Sequence, residues 1–260
     1  NPPRRGRRLL PVRLSLETFS QKVIMMKLIT KLTIGFFLLA AVLLLEYFTD
    51  WDTDLQEYFF DRPHNRWLIY PELHKKLSVF FYKGIKTLLS VTALCCLARF
   101  ALSIRQKQLR PDNKPYWIML LSIIFVPALI AGAKYVTNVY CPYQLNIYNG
   151  LYPFVRILES YPADFIQPKP GRCFPAGHAT AGFAFMALFF CFDTPWKRWL
   201  GLAVGLAVGW TAALYQMYRG QHFLSHSVFS MIAAFMVILL INEIVSRLTA
   251  AKNDKRLTEK

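Results

Sequence analysis

The sequence predicts an all-α fold: a polytopic membrane protein of six transmembrane helices with both termini in the cytoplasm. Three observations carry this. The 260 residues are 55% hydrophobic, and the apolar residues gather into runs instead of spreading evenly. Those runs reach roughly 18 to 25 residues, enough to cross a hydrocarbon core of about 30 Å. Basic residues then fall into alternate connections, as they do when Lys and Arg stay on the cytoplasmic side.

The first predicted span is 28–48, "LITKLTIGFFLLAAVLLLEYF", and the others are 79–102, 116–133, 177–193, 198–217 and 227–246. The fourth is short and rich in Gly and Ala, which suits a helix packed among neighbours rather than against lipid. Ahead of the first span stand Arg4, Arg5, Arg7, Arg8, Lys22, Lys27 and Lys31. The connection between the second and third carries Arg105, Lys107, Arg110 and Lys114. Lys197 and Arg198 lie between the fourth and fifth, and Arg247, Lys252, Lys255, Arg256 and Lys260 follow the sixth. With alternating helices all of these share one side. The formal charge of +16 is then a topology signal and an attraction to anionic lipid. A nucleic-acid partner is not indicated, because no basic surface interleaved with aromatic residues accompanies the charge.

The same topology leaves 49–76, 134–176 and 218–226 on the outer side. The expected organisation is a basic tail (1–26), a six-helix domain (27–248) and a basic cytoplasmic tail (249–260). Residues 1–24 lack the long apolar centre of a secretory signal, and Met25 or Met26 reads as a natural start. Within 49–76, an acidic stretch followed by an aromatic and basic one suggests a lid or platform at the interface. Trp67, Tyr70, Tyr140, Tyr143, Tyr215 and Tyr218 read as aromatic belts. Of the five cysteines, Cys95, Cys96 and Cys191 fall in spans as packing residues. Cys141 and Cys173 share an outer segment, either as free thiols or as a disulfide. The disulfide would be worth ~3 kcal/mol in the chain-entropy model.

Three polar clusters, remote in sequence, arrive at the same outer level. They are "KYVTNVYCPYQL" from Lys134, "KPGRCFPAGHAT" from Lys169 and "YQMYRGQHFLSHS" from Tyr215. Ionisable groups beside hydrocarbon are costly and mark working sites. A phosphate needs cations and N–H donors, which Lys134, Arg172 and Arg219 can supply together with the free amides that open a helix near Pro175 and Gly177. One histidine can attack phosphorus while another protonates the leaving oxygen. Two other uses of these residues compete with that one. The i, i+4 pair His222 and His226 has zinc-ligand spacing, with His178 as a third ligand, but no H-E-x-x-H accompanies it. A non-enzymatic transporter would show broken helices in inverted repeats, and none are visible.

The segments resemble the three motifs of the type 2 phosphatidic acid phosphatase superfamily, K-x6-R-P, P-S-G-H and S-R-x5-H-x3-D, over roughly residues 28–246. The resemblance implies a metal-independent lipid phosphatase that needs no cofactor and works through a phosphohistidine. In it His222 is the nucleophile, His178 the acid, Lys134 a phosphate-binding cation and Gly177 a motif amide. It further implies a bacterial inner-membrane protein whose site faces the periplasm. The substrate would be an anionic phospholipid or a polyprenyl or lipid A phosphate or pyrophosphate. The alternative is a phosphotransferase resembling lipid A 1-diphosphate synthase, with a polyprenyl pyrophosphate donor.

The departures fall at motif positions. Cys141 stands for an Arg, Ala176 for a Ser, and Tyr215 and Gln216 for Ser-Arg. His226 occupies the place of the aspartate that orients the nucleophile. Arg172 and Arg219 are expected to replace the lost cations. His226, Asp164 or Glu159 is expected to replace the aspartate.

Overall fold

The computed structural model describes residues 9–105 and 113–258. Of the predicted cytoplasmic charges, Arg4, Arg5, Arg7, Arg8, Lys107, Arg110 and Lys260 lie outside the described residues. The long helices are α1 (Leu9–Phe48), α4 (Ile85–Arg105), α5 (Lys114–Ala133), α7 (Pro195–Met217) and α8 (Leu224–Thr258). Shorter ones are α2 (Trp51–Glu57), α3 (Pro71–Ser78) and α6 (Gly177–Phe183). A two-stranded hairpin joins β1 (Phe60–Asp61) to β2 (Arg66–Trp67). Proline near the first helical position starts α3, α5 and α7, where its missing N–H costs no helical bond.

Five helices are long and apolar enough to cross a membrane: Met25–Phe48, Pro71–Leu102, Lys114–Ala133, Pro195–Met217 and Leu224–Ala251. The chain is therefore a multi-pass membrane protein. The second begins earlier than hydropathy predicts, because His74, Lys75 and Lys76 hide the helical start at Pro71. A single π-helical turn, Val79–Gly84, joins α3 to α4. The fourth predicted span is a different object, with seven residues of α6 continuing into a 3-10 segment, Ala184–Phe190.

That segment sits inside the bundle. Phe183, Ala184, Met186 and Ala187 are fully buried against Ile118, Ile123 and Val126 of α5 and Ile238 of α8. A Gly201/Gly205/Gly209 stripe on α7 admits it. A Cβ at Gly205 would lie 2.3 Å from the backbone nitrogen of Met186, and one at Gly209 would lie 2.0 Å from the Phe183 ring. Small residues at every fourth position let two backbones touch in lipid, where hydrophobicity gives helices no reason to associate.

The segments 49–76, 134–176 and 218–226 fold together as a cap over one end of the bundle. Phe60, Tyr140, Leu145, Tyr148 and Phe223 form its own apolar cluster, joined by Trp67 and Tyr152. Trp67 and Tyr140 are thus cap core, not interfacial belt residues, and Tyr140 is 1% exposed. Backbone bonds stitch the segments, with Ile69 N–H donating to the Tyr218 carbonyl and Tyr143 N–H to that of Gly220. The buried carboxylate of Asp52 accepts from the Ser225 N–H at 2.8 Å and from the Ser225 hydroxyl. It so caps the start of α8 from a different segment. Arg156 ties 134–176 to the end of α1, donating to the Glu46 and Thr49 carbonyls and to the Asp50 carboxylate. Cys141 and Cys173 are joined in a disulfide.

Candidate active site

The turn Val79–Gly84 with the start of α4, the ends of α5 and α7 and the start of α6 meet around a cavity of about 390 Å³. Its polar lining is Lys134, Gly177, His178, Gln216, Tyr82 and Lys86, and its apolar lining includes Phe81, Pro127 and Ala181.

Lys134 follows the last residue of α5 and lies over the first residue of α6. A Cβ at Gly177 would approach Lys134 Cε to 3.0 Å and Nζ to 3.3 Å. Glycine at this position therefore gives the ammonium room beside the opening amides of α6. Burial holds the Lys134 ammonium below the ordinary lysine range. His178 follows directly, with its ring centroid 5.8 Å from that of His222.

His222 lies in the short connection before α8 and is 2% exposed. Its Nδ1 is 3.5 Å from Cys173 Sγ, and its Nε2 is buried without a hydrogen-bond partner. A disulfide sulfur has no proton to give, so Nδ1–H is the donor and Nε2 holds the lone pair. Burial, then the charge of Lys134, pushes the pKa of His222 well below the ordinary histidine value. The ring is neutral at physiological pH, with its free nitrogen the unpartnered one.

Arg219 donates from one guanidinium nitrogen to Gln216 Oε1 at 3.1 Å. It lies near enough for its charge to act on His178, and burial is the main influence on its own pKa, a lowering one. Arg172 is not brought to this group. Its guanidinium rests 4.6 Å over the Tyr135 ring, and Arg172 lines a separate cavity with Lys169. Its segment is bonded along residues 138–140, with Gly171 N–H donating to Asn138 Oδ1, the Tyr140 hydroxyl to the Lys169 carbonyl and Cys173 N–H to the Val139 carbonyl.

No hydrogen bond joins His222 to any of the three residues expected in place of the aspartate, His226, Asp164 or Glu159. Glu159 accepts from the Arg156 N–H and pairs with that residue, and Asp164 is exposed. His226 is buried 5.9 Å, centroid to centroid, from His222, but its Nδ1 has no partner and no hydrogen bond joins the two rings. Instead its carbonyl accepts from Ala176 N–H, and its ring packs on Phe174 and Phe223. His64 and His74, unassigned from sequence, contact Asp61 and the Tyr215 hydroxyl.

One group with metal-ligand geometry occurs among the described residues, Cys173, His222 and His226, with ligand atoms within 4.8 Å of one another. Since Cys173 is in the disulfide, it offers no thiolate, and the zinc set imagined from sequence (His178, His222 and His226) is not the one that converges. The sequence reading also missed Tyr82 and Lys86. Two lysines in an apolar run, Lys83 and Lys86, were the available signal.

A multi-pass membrane protein with a cavity lined by Lys134 and His178, and His222 buried beside His178, is the class this fold and site define. The family model described as the PAP2 superfamily matches residues 115–250, and the chain belongs to that superfamily. Its members are phosphatases and phosphotransferases of phosphorylated lipids, which places this chain among phosphoric-ester enzymes at that level. The matched stretch contains Lys134, His178, Arg219 and His222, while α1 to α4 lie outside it. No curated protein and no solved structure matches the chain.

Proposed function

We propose that the protein removes a phosphate from a lipid phosphate or diphosphate through a phosphohistidine on His222, without a metal, at the outer leaflet of a bacterial inner membrane. The observation that carries this is the buried, unpartnered Nε2 of His222, on a ring 5.8 Å from that of His178, which lines a cavity together with Lys134. Lys134, Arg219 and the Gly177 amide hold the phosphate. His222 Nε2 forms the P–N bond as the bond from phosphorus to the lipid oxygen breaks. That electron pair leaves on the lipid oxygen, which takes a proton from His178. Water, deprotonated by His178, then attacks phosphorus, and the P–N bond returns its pair to His222. Release of inorganic phosphate completes the cycle.

The test is phosphate release by the detergent-purified protein in EDTA, over a panel of lipid phosphates and diphosphates. Turnover that His222→Ala reduces by about 10³-fold or more supports the reading. Undiminished turnover by that variant overturns it. Turnover that appears only when an acceptor lipid is added assigns the same intermediate to a phosphotransferase.

A further inference from the structure

The second membrane helix contributes groups to the cavity that the reading above leaves idle. The π-helical turn Val79–Gly84 re-aims the chain as α4 begins, and Phe81, Tyr82 and Lys86 all line the cavity beside His178. Single π turns within helices are frequent where side chains must be redirected to a site. Lys86 Nζ donates to the Tyr82 hydroxyl at 2.8 Å, and the Tyr82 ring lies 5.7 Å from that of His178. Among the described residues no carboxylate pairs with Lys86. A cation within a membrane span and without a counter-ion is costly unless a ligand supplies the charge.

Position decides which part of the ligand that is. His222 is fully enclosed behind the cavity and is not part of its wall, whereas His178, Lys134 and Lys86 are. In-line displacement puts the leaving group on the side of phosphorus opposite the nucleophile. The leaving group therefore points from His222 past His178 toward Tyr82 and Lys86. A phosphomonoester of a lipid alcohol leaves as an alkoxide that His178 neutralises, with no lasting charge for Lys86 to meet. A lipid diphosphate attacked at its terminal phosphorus leaves as a lipid monophosphate, which keeps its negative charge.

Resting on the phosphatase reading, we infer that Lys86, positioned by Tyr82, is a specificity-determining residue that binds the retained phosphate of a lipid diphosphate substrate. The terminal phosphate sits between His222 and Lys134. The inner phosphate lies against Lys86, and the hydrocarbon chain leaves between helices through the apolar wall.

Farnesyl diphosphate and farnesyl monophosphate share one chain and differ only in that second phosphate. Their kcat/KM values are compared for the full-length protein in detergent and EDTA, for wild type, Lys86→Met, Lys86→Arg and His222→Ala. The expected result is a wild-type preference for the diphosphate. Lys86→Met lowers the diphosphate value by about 10- to 100-fold, the range lost with one charge-assisted contact, and changes the monophosphate value less than about threefold. Lys86→Arg restores most of the loss. Equal loss on both substrates, no loss on either, or a wild-type preference for the monophosphate overturns the inference. The phosphatase reading fails separately, through a His222→Ala protein that still turns over. Binding of the two lipids to the His222→Ala protein, with and without Lys86→Met, reads the same preference without turnover. A preference for the diphosphate that Lys86→Met abolishes supports the assignment, and equal binding refutes it.

Discussion

His222 keeps its lone pair by being desolvated, and the consequence can be read as a pH dependence. An unfolded chain would give it the ordinary histidine pKa of about 6.5, whereas burial and the Lys134 charge hold the folded value well below. As pH falls below about 6.5 the unfolded chain takes up a proton that the folded one refuses, so this residue lowers stability on the acid side. Asp52 acts with the opposite sign further down. Burial pushes its carboxyl up to about 6, and the stability it confers is lost as pH rises from about 4 through 6. Between pH 7.5 and 6, melting in detergent is expected to show the histidine sign, and His222→Gln to flatten part of the slope. In kcat/KM, the acid limb due to His222 should lie below the ordinary histidine range, and Lys134→Met should raise its midpoint by removing a cation that acts on it. At this scale the motif residues Lys134, Gly177, His178 and His222 were legible because each sits at a predicted helix end. Arg172 was misplaced because spacing along a loop says nothing about the direction of a side chain. The partner of His222 could not be read either, since it depends on a disulfide pairing that the sequence left open.

Two elements owe their position to contacts that no local pattern reveals. The α6 segment lies where α7 has glycine at 201, 205 and 209, so the stripe and not the segment's own hydropathy fixes its depth. Gly205→Ala places a methyl against the Met186 backbone and is expected to cost about 1–3 kcal/mol of stability. SDS-induced unfolding in mixed micelles would measure it, with Gly132→Ala as the control, since nothing lies within 4 Å of a Cβ there. The start of α8 depends on Asp52, 173 positions before Ser225. Asp52→Ala strands the Ser225 donors and should destabilise by about 1–3 kcal/mol, while Asp52→Asn keeps an acceptor for the amide and should cost less. Hydrogen exchange at the first turn of α8 would localise the effect. Helix existence was plain from composition, but the π turn and the 3-10 continuation of α6 arise from packing and leave no hydropathy signature.

Taken as one body, the molecule is an apolar bundle with a cap that carries much of its buried polarity. The cap holds one end of α1, contains the α5–α6 connection and presents Cys173 to His222, and the Cys141–Cys173 disulfide spans 32 residues within it. Opening that bridge releases both the first motif segment and the sulfur beside the nucleophile. Cys141→Ser with Cys173→Ser is expected to lose ~3 kcal/mol of stability. It should also lower kcat more than it raises KM, because positioning of His222 matters most in the transition state. Treatment of the wild type with a dithiol should do the same reversibly.

The α6 segment also bears on how the chain enters the membrane. Seven α-helical residues and seven 3-10 residues are fewer than the roughly 20 that partition into a bilayer independently. Its surroundings in the finished protein are the glycine stripe of α7 and the faces of α5 and α8, all but α5 made later by the ribosome. Biogenesis must therefore hold this piece back, or shelter it against α5, until α7 has emerged. The two then go in as a hairpin closed by the tight turn at Asp193 and Thr194. The histidine that opens α6 reaches its working depth only as the last helices arrive, so an incompletely synthesised chain has no assembled site.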